Sequence, residues 1–271
     1  MNKFTQFSNR NNFFWSAVKL ISEELGYSDR KTKKIKYYNL EEVNLFEKNL
    51  SLNISEKKDV VDYLNLRSNI INNHIKNNLL NKEEAKTLYE SLLKEINPKS
   101  KISFNRQKKE KKHPAYFSNM ISFICEKNLT MNGFVNDTQR LSFIEKDSKP
   151  YYTFSRRFDG VIPSFKNPLA VWEVKEYYNT TTFGSRIADG IYESLLDGFE
   201  INSANKLIDK KIYHYLFIDG YHCWWNTGGK SYLCRIVDFL NMGYVDSVYF
   251  GKEIITEWDK EVKRLKEIYK N

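Results

Sequence analysis

The apolar positions change their spacing once along the chain. Up to about residue 100 they recur every three or four positions, the period of a helix with one buried face. In NFFWSAVKLISEEL (12–25), Phe14, Val18, Ile21 and Leu25 fall on one stripe. Between 39 and 97 the helical pattern is nearly continuous. Leu64, Ile71, Ile75 and Leu79 form one stripe, and Ala85, Leu88, Leu92 and Ile96 another. Ser55 before Glu56, and Asn81 before Glu83 and Glu84, fit helix N-caps with acidic first turns. NPKS (97–100) stops the helix, and HPAYFSNMISFICEKN predicts the next one, begun by Pro114.

Beyond that helix the period shortens. Segments near 140–145, 151–163, 169–177, 212–219 and 245–250 are rich in aromatic and β-branched residues and are bounded by Gly, Pro, Asn or Asp, which predicts strands. Helical spacing returns near 185–200, 230–241 and 253–269. The alternation predicts an α/β class (a mixed α+β arrangement) around a central mixed sheet, with a helical N-terminal region. The division read from the pattern is a helical region for DNA binding or dimerisation over 1–100, a basic linker over 101–113 and a catalytic α/β domain over 114–271. No internal repeat is visible.

Composition narrows this picture. With 271 residues, 28% charged and 41% hydrophobic, the chain can bury a real core. No apolar run approaches the roughly 18 residues of a membrane span, and the N-terminus lacks a signal peptide's apolar core. Cys125, Cys223 and Cys234 are odd in number and show no paired spacing. A disulfide framework or zinc site is not expected, and a reducing cytoplasmic location is. Residues 1–112 hold 23 Lys+Arg against 14 Asp+Glu, whereas 113–271 hold 20 of each. The excess positive charge points to a polyanion partner for the first part. Two runs stand out: DRKTKKIK (29–36), with Lys33, Lys34 and Lys36, and RQKKEKK (106–112), with Lys108, Lys109, Lys111 and Lys112. Tyr37, Tyr38 and Phe104 flank them, a mix that suits nucleic-acid contact.

The chemistry concentrates in RRFDGVIPSFKNPLAVWEVKEYYNTTTFGSR (156–186). Alternation along LAVWEVK puts Ala170, Trp172 and Val174 on one face and Val171, Glu173 and Lys175 on the other. In the preceding strand Phe158, Gly160 and Ile162 share a face, with Asp159 and Val161 opposite. A hairpin through SFKNP (164–168) would bring Asp159 beside Glu173 and Lys175. Two adjacent carboxylates invite a divalent cation such as Mg²⁺, with the Val174 carbonyl as a further oxygen ligand. A lysine beside the metal, its pKa depressed by apolar surroundings, would orient or deprotonate a water.

This stretch resembles the PD-(D/E)xK nuclease superfamily, the fold of many type II restriction endonucleases. Asp159 matches the first acid and Glu173-Val174-Lys175 the E-x-K, with 13 residues between Asp159 and Glu173. Phe158 stands where the family pattern has proline. The family's αβββαβ core maps onto 114–220, about 40% of the chain. The resemblance implies Mg²⁺-dependent hydrolysis of DNA (with Mn²⁺ able to substitute), Asp159 and Glu173 as ligands, and Lys175 near the attacking water. It also implies a homodimer, needed to cut both strands of duplex DNA, and a restriction or defence role. Some members add an acid from the helix before the sheet; Glu126 is the candidate here, then Glu145. E-x-K recurs at Glu56, Glu84, Glu110 and Glu261, but in helical or low-complexity settings. A nuclease for RNA or branched DNA, and a non-catalytic nucleic-acid-binding protein, are the alternative functions.

At the start of the following helix, Thr182, Ser185 and Arg186 are placed to touch a nucleic-acid backbone. WNTGGKSY (225–232) lacks the first glycine of a phosphate-binding loop, Trp224 standing in its place, so nucleotide binding is not expected. The four histidines show no ligand spacing.

Overall fold

Asparagine side chains cap four helices of the first hundred residues, two of them through a reciprocal box. The structure is a computed structural model and describes residues 1–7, 9–46, 52–105, 113–129, 133–180, 183–208 and 210–270. Helix α1 (Asn12–Leu25) starts where the Asn11 side chain accepts from the Phe14 amide. After α2 (Leu40–Phe46), α3 (Ile54–Asn69) starts with a reciprocal box between Asn53 and Glu56. The cap is thus Asn53, and Ser55, expected there, falls inside the first turn. A π-helical turn (Ile70–Ile75) and the short α4 (Lys76–Asn78) lead to α5 (Lys82–Ile96). Asn81 and Glu84 box its start, and Asn97 ends it in the left-handed region at φ 47°. Helix α6 (Tyr116–Asn128) begins after Pro114, which instead bridges Phe104.

The remaining order is β1 (Val135–Asn136), β2 (Phe143–Lys146), β3 (Lys149–Thr153), β4 (Gly160–Ile162), β5 (Ala170–Glu176), α7 (Ser185–Ile208), β6 (Tyr213–Asp219), a π-helical turn (His222–Asn226), α8 (Lys230–Met242), β7 (Ser247–Phe250), a π-helical turn (Ile254–Trp258) and α9 (Asp259–Lys270). This is a mixed α/β protein. Among the described residues the central sheet has five strands in the order β1-β4-β5-β6-β7. Pairs β1–β4 and β4–β5 are antiparallel; β5–β6 and β6–β7 are parallel. Strands β2 and β3 form a separate hairpin.

The single strand expected over 151–163 is therefore two strands in two sheets. The break has a cause: the Asp137 amide donates to the Asp159 carbonyl at 2.7 Å, and the Thr138 hydroxyl donates to the Phe158 carbonyl. These contacts turn the chain before β4, so strict alternation starts only at Gly160. Phe158 consequently packs with Val161 rather than opposite it.

Each sheet face has its own helical cover. Ala170, Trp172, Phe217 and Tyr249 pack against α5, α6 and Trp258. Leu216, Ile218 and Val248 pack against α7 and α8. Helix α5 thus belongs to the packing of the sheet. Helices α1 and α3 form a separate cluster around Tyr63 and Trp15. It is joined to α8 by Arg67 and Asp238, 2.8 Å apart and buried.

Candidate active site

Strand β5 is the middle strand of the sheet, flanked by β4 and β6. Its sequence AVWEVKE alternates as expected: Trp172 goes to one core and Val171 to the other. Glu173 and Lys175 lie on the Val171 side and are 1% and 6% exposed. Charges buried this deeply require partners. The Lys175 ammonium reaches Glu173 Oε2 at 3.0 Å, and Arg156 Nη1 reaches the same oxygen at 3.2 Å.

The β4–β5 hairpin brings Asp159 to this strand. Asp159 donates its amide to the Trp172 carbonyl, and its Oδ2 accepts the Val174 amide at 2.8 Å. The next residue is obliged to be glycine: a Cβ on Gly160 would lie 2.0 Å from the Trp172 ring. The Val174 amide faces beyond the end of β4, and its carbonyl, on the same strand edge, faces that way too. Both border a cleft of about 890 Å³ whose lining includes Asp159, Val174, Glu176, Tyr177 and Arg186, with Lys101–Asn105 and Asn136–Asp137 among its walls.

Sequence reading missed the residues that complete the charge cluster. Arg156 also holds Asp197 at 2.7 Å and Glu193 at 3.2 Å, both on α7. Asp197 follows the buried stripe of that helix, so a carboxylate recurring among Ile187, Ile191 and Ile201 was the available signal. Glu176, one residue beyond the E-x-K, turns to α6, where the Ser118 amide and hydroxyl donate to it at 3.1 and 3.0 Å.

The cluster is short of positive charge. Glu173, Glu193, Asp159 and Asp197 face two cations, Arg156 and Lys175. Burial, then the Glu173 charge, raise the Asp159 carboxyl to about 6, against the pull of Lys175. Asp159 is solvent-exposed at the cleft, so water moderates the upward shift that its neighbours impose. Burial and Glu173 likewise raise Asp197 to about 7. Glu173 Oε1 and Asp197 Oδ1 are buried without a hydrogen-bond partner. Burial lifts Glu176 to about 7, its α6 donors notwithstanding.

Lys175 departs from expectation. Burial would lower its pKa, but Glu173 and Asp159 outweigh burial and hold it above the ordinary lysine value. It is a fixed ammonium, suited to hydrogen bonding and charge stabilisation rather than to taking a proton.

The other expected residues are scattered. Glu126 spends both carboxylate oxygens on backbone amides, Lys99 at 2.7 Å and Ser100 at 3.0 Å. It lies eight residues, about 12 Å, along α6 from the turn that meets Glu176. Glu145 pairs with Lys166 at 2.7 Å on the side hairpin. Ser185 opens α7 and is exposed, and Arg186 lines the cleft. Lys36 is taken by Glu42 at 3.1 Å, whereas Lys33 and Lys34 are exposed on their loop. Thr182, Lys108, Lys109, Lys111 and Lys112 lie outside the described residues. All three cysteines are buried free thiols. Among the described residues, no helix is long and apolar enough to cross a membrane.

No group of three or more His, Cys, Asp or Glu side chains among the described residues is arranged to hold a metal ion. What is present is two carboxylates, one with an unpartnered oxygen, and a strand carbonyl beside them. That is a small, hard-oxygen donor set of the kind Mg²⁺ uses together with water and phosphate oxygens.

No curated protein and no solved structure matches the chain. Residues 1–74 match the model of the family described as Domain of unknown function (DUF7690). Residues 80–265 match the model of the family described as Domain of unknown function (DUF7687), and the chain belongs to that family.

Proposed function

We propose that the protein is a divalent-metal-dependent nuclease that hydrolyses phosphodiester bonds, with duplex DNA as substrate. The observation that carries this reading is the meeting of Asp159 with the Glu173-Val174-Lys175 strand, where Asp159 and Val174 line an open cleft and Glu173 and Lys175 are buried behind it. The order α6, β1, β4, β5, α7, β6, with the β2–β3 hairpin as an insertion, also supports it, because it follows the helix, three strands, helix, strand of the PD-(D/E)xK nucleases.

Asp159 and Glu173 would hold Mg²⁺ with the Val174 carbonyl. The ion supplies polarisation of a phosphoryl oxygen and a lowered pKa for a water. Lys175, kept protonated by Glu173 and Asp159, would add a fixed positive charge behind the two carboxylates that favours negative charge building on the phosphate. Arg156 pins Glu173 to α7 through Asp197 and so orients the carboxylate. Arg186, at the cleft wall, is positioned to meet the substrate backbone. Cutting both strands calls for two copies of the chain.

The test is plasmid cleavage by purified protein with Mg²⁺, with EDTA, and by Asp159→Ala and Lys175→Ala. The reading expects cleavage with Mg²⁺ alone, and a loss of at least about 100-fold in each variant. Folded wild-type protein that cuts neither duplex DNA, single-stranded DNA nor RNA would overturn it.

A further inference from the structure

The carboxyl ends of β5, β6 and β7 lie at one edge of the sheet, where open α/β sheets bind their ligands. Three lysines meet there, brought from parts of the chain far apart in sequence. Lys230 is the first residue of α8, reached from the end of β6 through the π-helical turn His222–Asn226. Lys76 is on α4, whose Asn78 carbonyl accepts the Lys252 amide just after β7. Lys33 is on the loop closed by the Ser28–Ile35 bridge.

One buried indole organises two of them. The ammoniums of Lys76 and Lys230 lie 5.1 and 4.9 Å from the Trp225 ring centroid. Lys230 also donates to the Trp225 carbonyl. Burial lowers the Lys230 pKa, and the next contributions, from Lys33 and Lys76, lower it further; both charges acting on it are cationic. Lys230 also sits at the positive end of a helix, where a cation is disfavoured. Among the described residues, the charges that act on Lys230 at this helix N-terminus are two further ammoniums, which leaves its positive charge uncompensated.

The site is linked to the wall of the candidate cleft through Phe183. A Cβ on Gly228, two residues before Lys230, would lie 3.4 Å from Phe183 Cβ. The Phe183 ring stacks on Tyr232 of α8 at 4.7 Å, and three residues later Arg186 lines the cleft.

We infer that Lys76 and Lys230, over Trp225, together with Lys33 on the neighbouring loop, grip the phosphate backbone of a nucleic acid whose scissile bond lies in the cleft. The inference rests on the nuclease reading for the identity of the anion, but not for hydrolysis. A nucleic acid is favoured over a lipid surface because Lys76 and Lys230 lie at the carboxyl edge of the parallel strands, the edge to which β5 carries the cleft residues Val174 and Glu176.

The experiment measures binding of a labelled duplex to the full chain in EDTA across a salt series. The variants are Lys33→Gln/Lys76→Gln, the same pair with Lys230→Gln, and Lys33→Arg/Lys76→Arg. The triple variant is expected to bind at least about 10-fold more weakly, and its log–log salt slope to fall by about 2 to 3. The double Gln variant, which leaves the Trp225 carbonyl contact intact, is expected to lose part of both, and the Arg pair to keep both. Asp159→Asn is expected to bind like wild type here and to fail only in cleavage. Its failure to cut would bear on hydrolysis, whereas the lysine variants bear on grip alone. Unchanged affinity and slope in folded lysine variants would overturn the inference. So would lysine-dependent binding to anionic vesicles with no binding to duplex, single-stranded DNA or RNA.

Discussion

Two groups of charges, one buried between α3 and α8 and one between β5 and α7, are built on different principles. In the first, Arg67 meets Asp238, with Tyr63 and Ser22 filling further positions around the pair. Cation and anion are equal in number, and the Arg67 Nε is the one side-chain atom of the set left without a hydrogen bond. In the second, Arg156 and Lys175 face Asp159, Glu173, Glu193 and Asp197, and two carboxylate oxygens stay unpartnered. The first joins the α1–α3 cluster to α8, and its charges are matched within the pair. The second is held in surplus negative charge by the surrounding fold, with Asp159 and Asp197 pushed up as the result. A balanced pair serves folding; an unbalanced one has capacity for a cation.

Breaking the balanced pair should have the largest effect. Asp238→Ala leaves the Arg67 guanidinium buried and alone, and should cost about 3–5 kcal/mol in urea unfolding. A loss under 1 kcal/mol would show that the two groups do not differ as described.

The unbalanced group predicts the opposite sign. At pH 8 Asp159→Asn removes a charge the fold disfavours, so its thermal midpoint should rise above wild type while cleavage disappears. A lowered midpoint would mean that the carboxylate is stabilising and the surplus is only apparent.

The pH dependence follows from the same direction. Carboxylates whose folded pKa is raised from about 4 to about 6 and 7 contribute stability that is complete below the unfolded value and lost as pH rises through the folded one. Glu176, lifted to about 7, and Asp219, lifted to about 8, act in the same sense. The midpoint should therefore fall between pH 5 and pH 8, and Asp197→Asn should flatten that fall. Added Mg²⁺ should recover a few degrees at pH 8 in the wild type and not in Asp159→Asn.

The smallest effect belongs to Glu126. Glu126→Gln weakens two amide contacts at an exposed helix end, so a change of about 1 kcal/mol or less is expected, with cleavage untouched. Loss of cleavage would place this acid among the groups that serve the site.

The two groups were not equally legible in the chain. The Asp159–Glu173–Lys175 meeting could be read because a hairpin and strand alternation are local rules, and only the SFKNP turn had to be right. The Asn81 cap and the broad alternation of helices and strands were legible for the same reason, whereas Ser55 was read as a cap that Asn53 in fact provides. Arg156 and Asp197 were not, because their contact spans 41 residues and depends on how α7 crosses the sheet. The Lys175 protonation was misjudged since apolar neighbours were visible in sequence and the net of surrounding charges was not. The split of 151–163 into two sheets escaped because Thr138 and Asp137, which turn the chain, lie twenty residues upstream of it.

The side hairpin has an evolutionary consequence. Asn136 and Gly160 are direct partners in the β1–β4 register, so the excursion between them leaves the sheet and returns to the same point. Ile144 and Phe154 anchor its base to Val161 and Val171, and its turn at Asp147–Ser148 stands away from the sheet. Lengthening or exchanging that turn changes what reaches outward and leaves the position of Asp159 untouched. The fold thus carries a branch that drift and selection can remodel without disturbing the trunk.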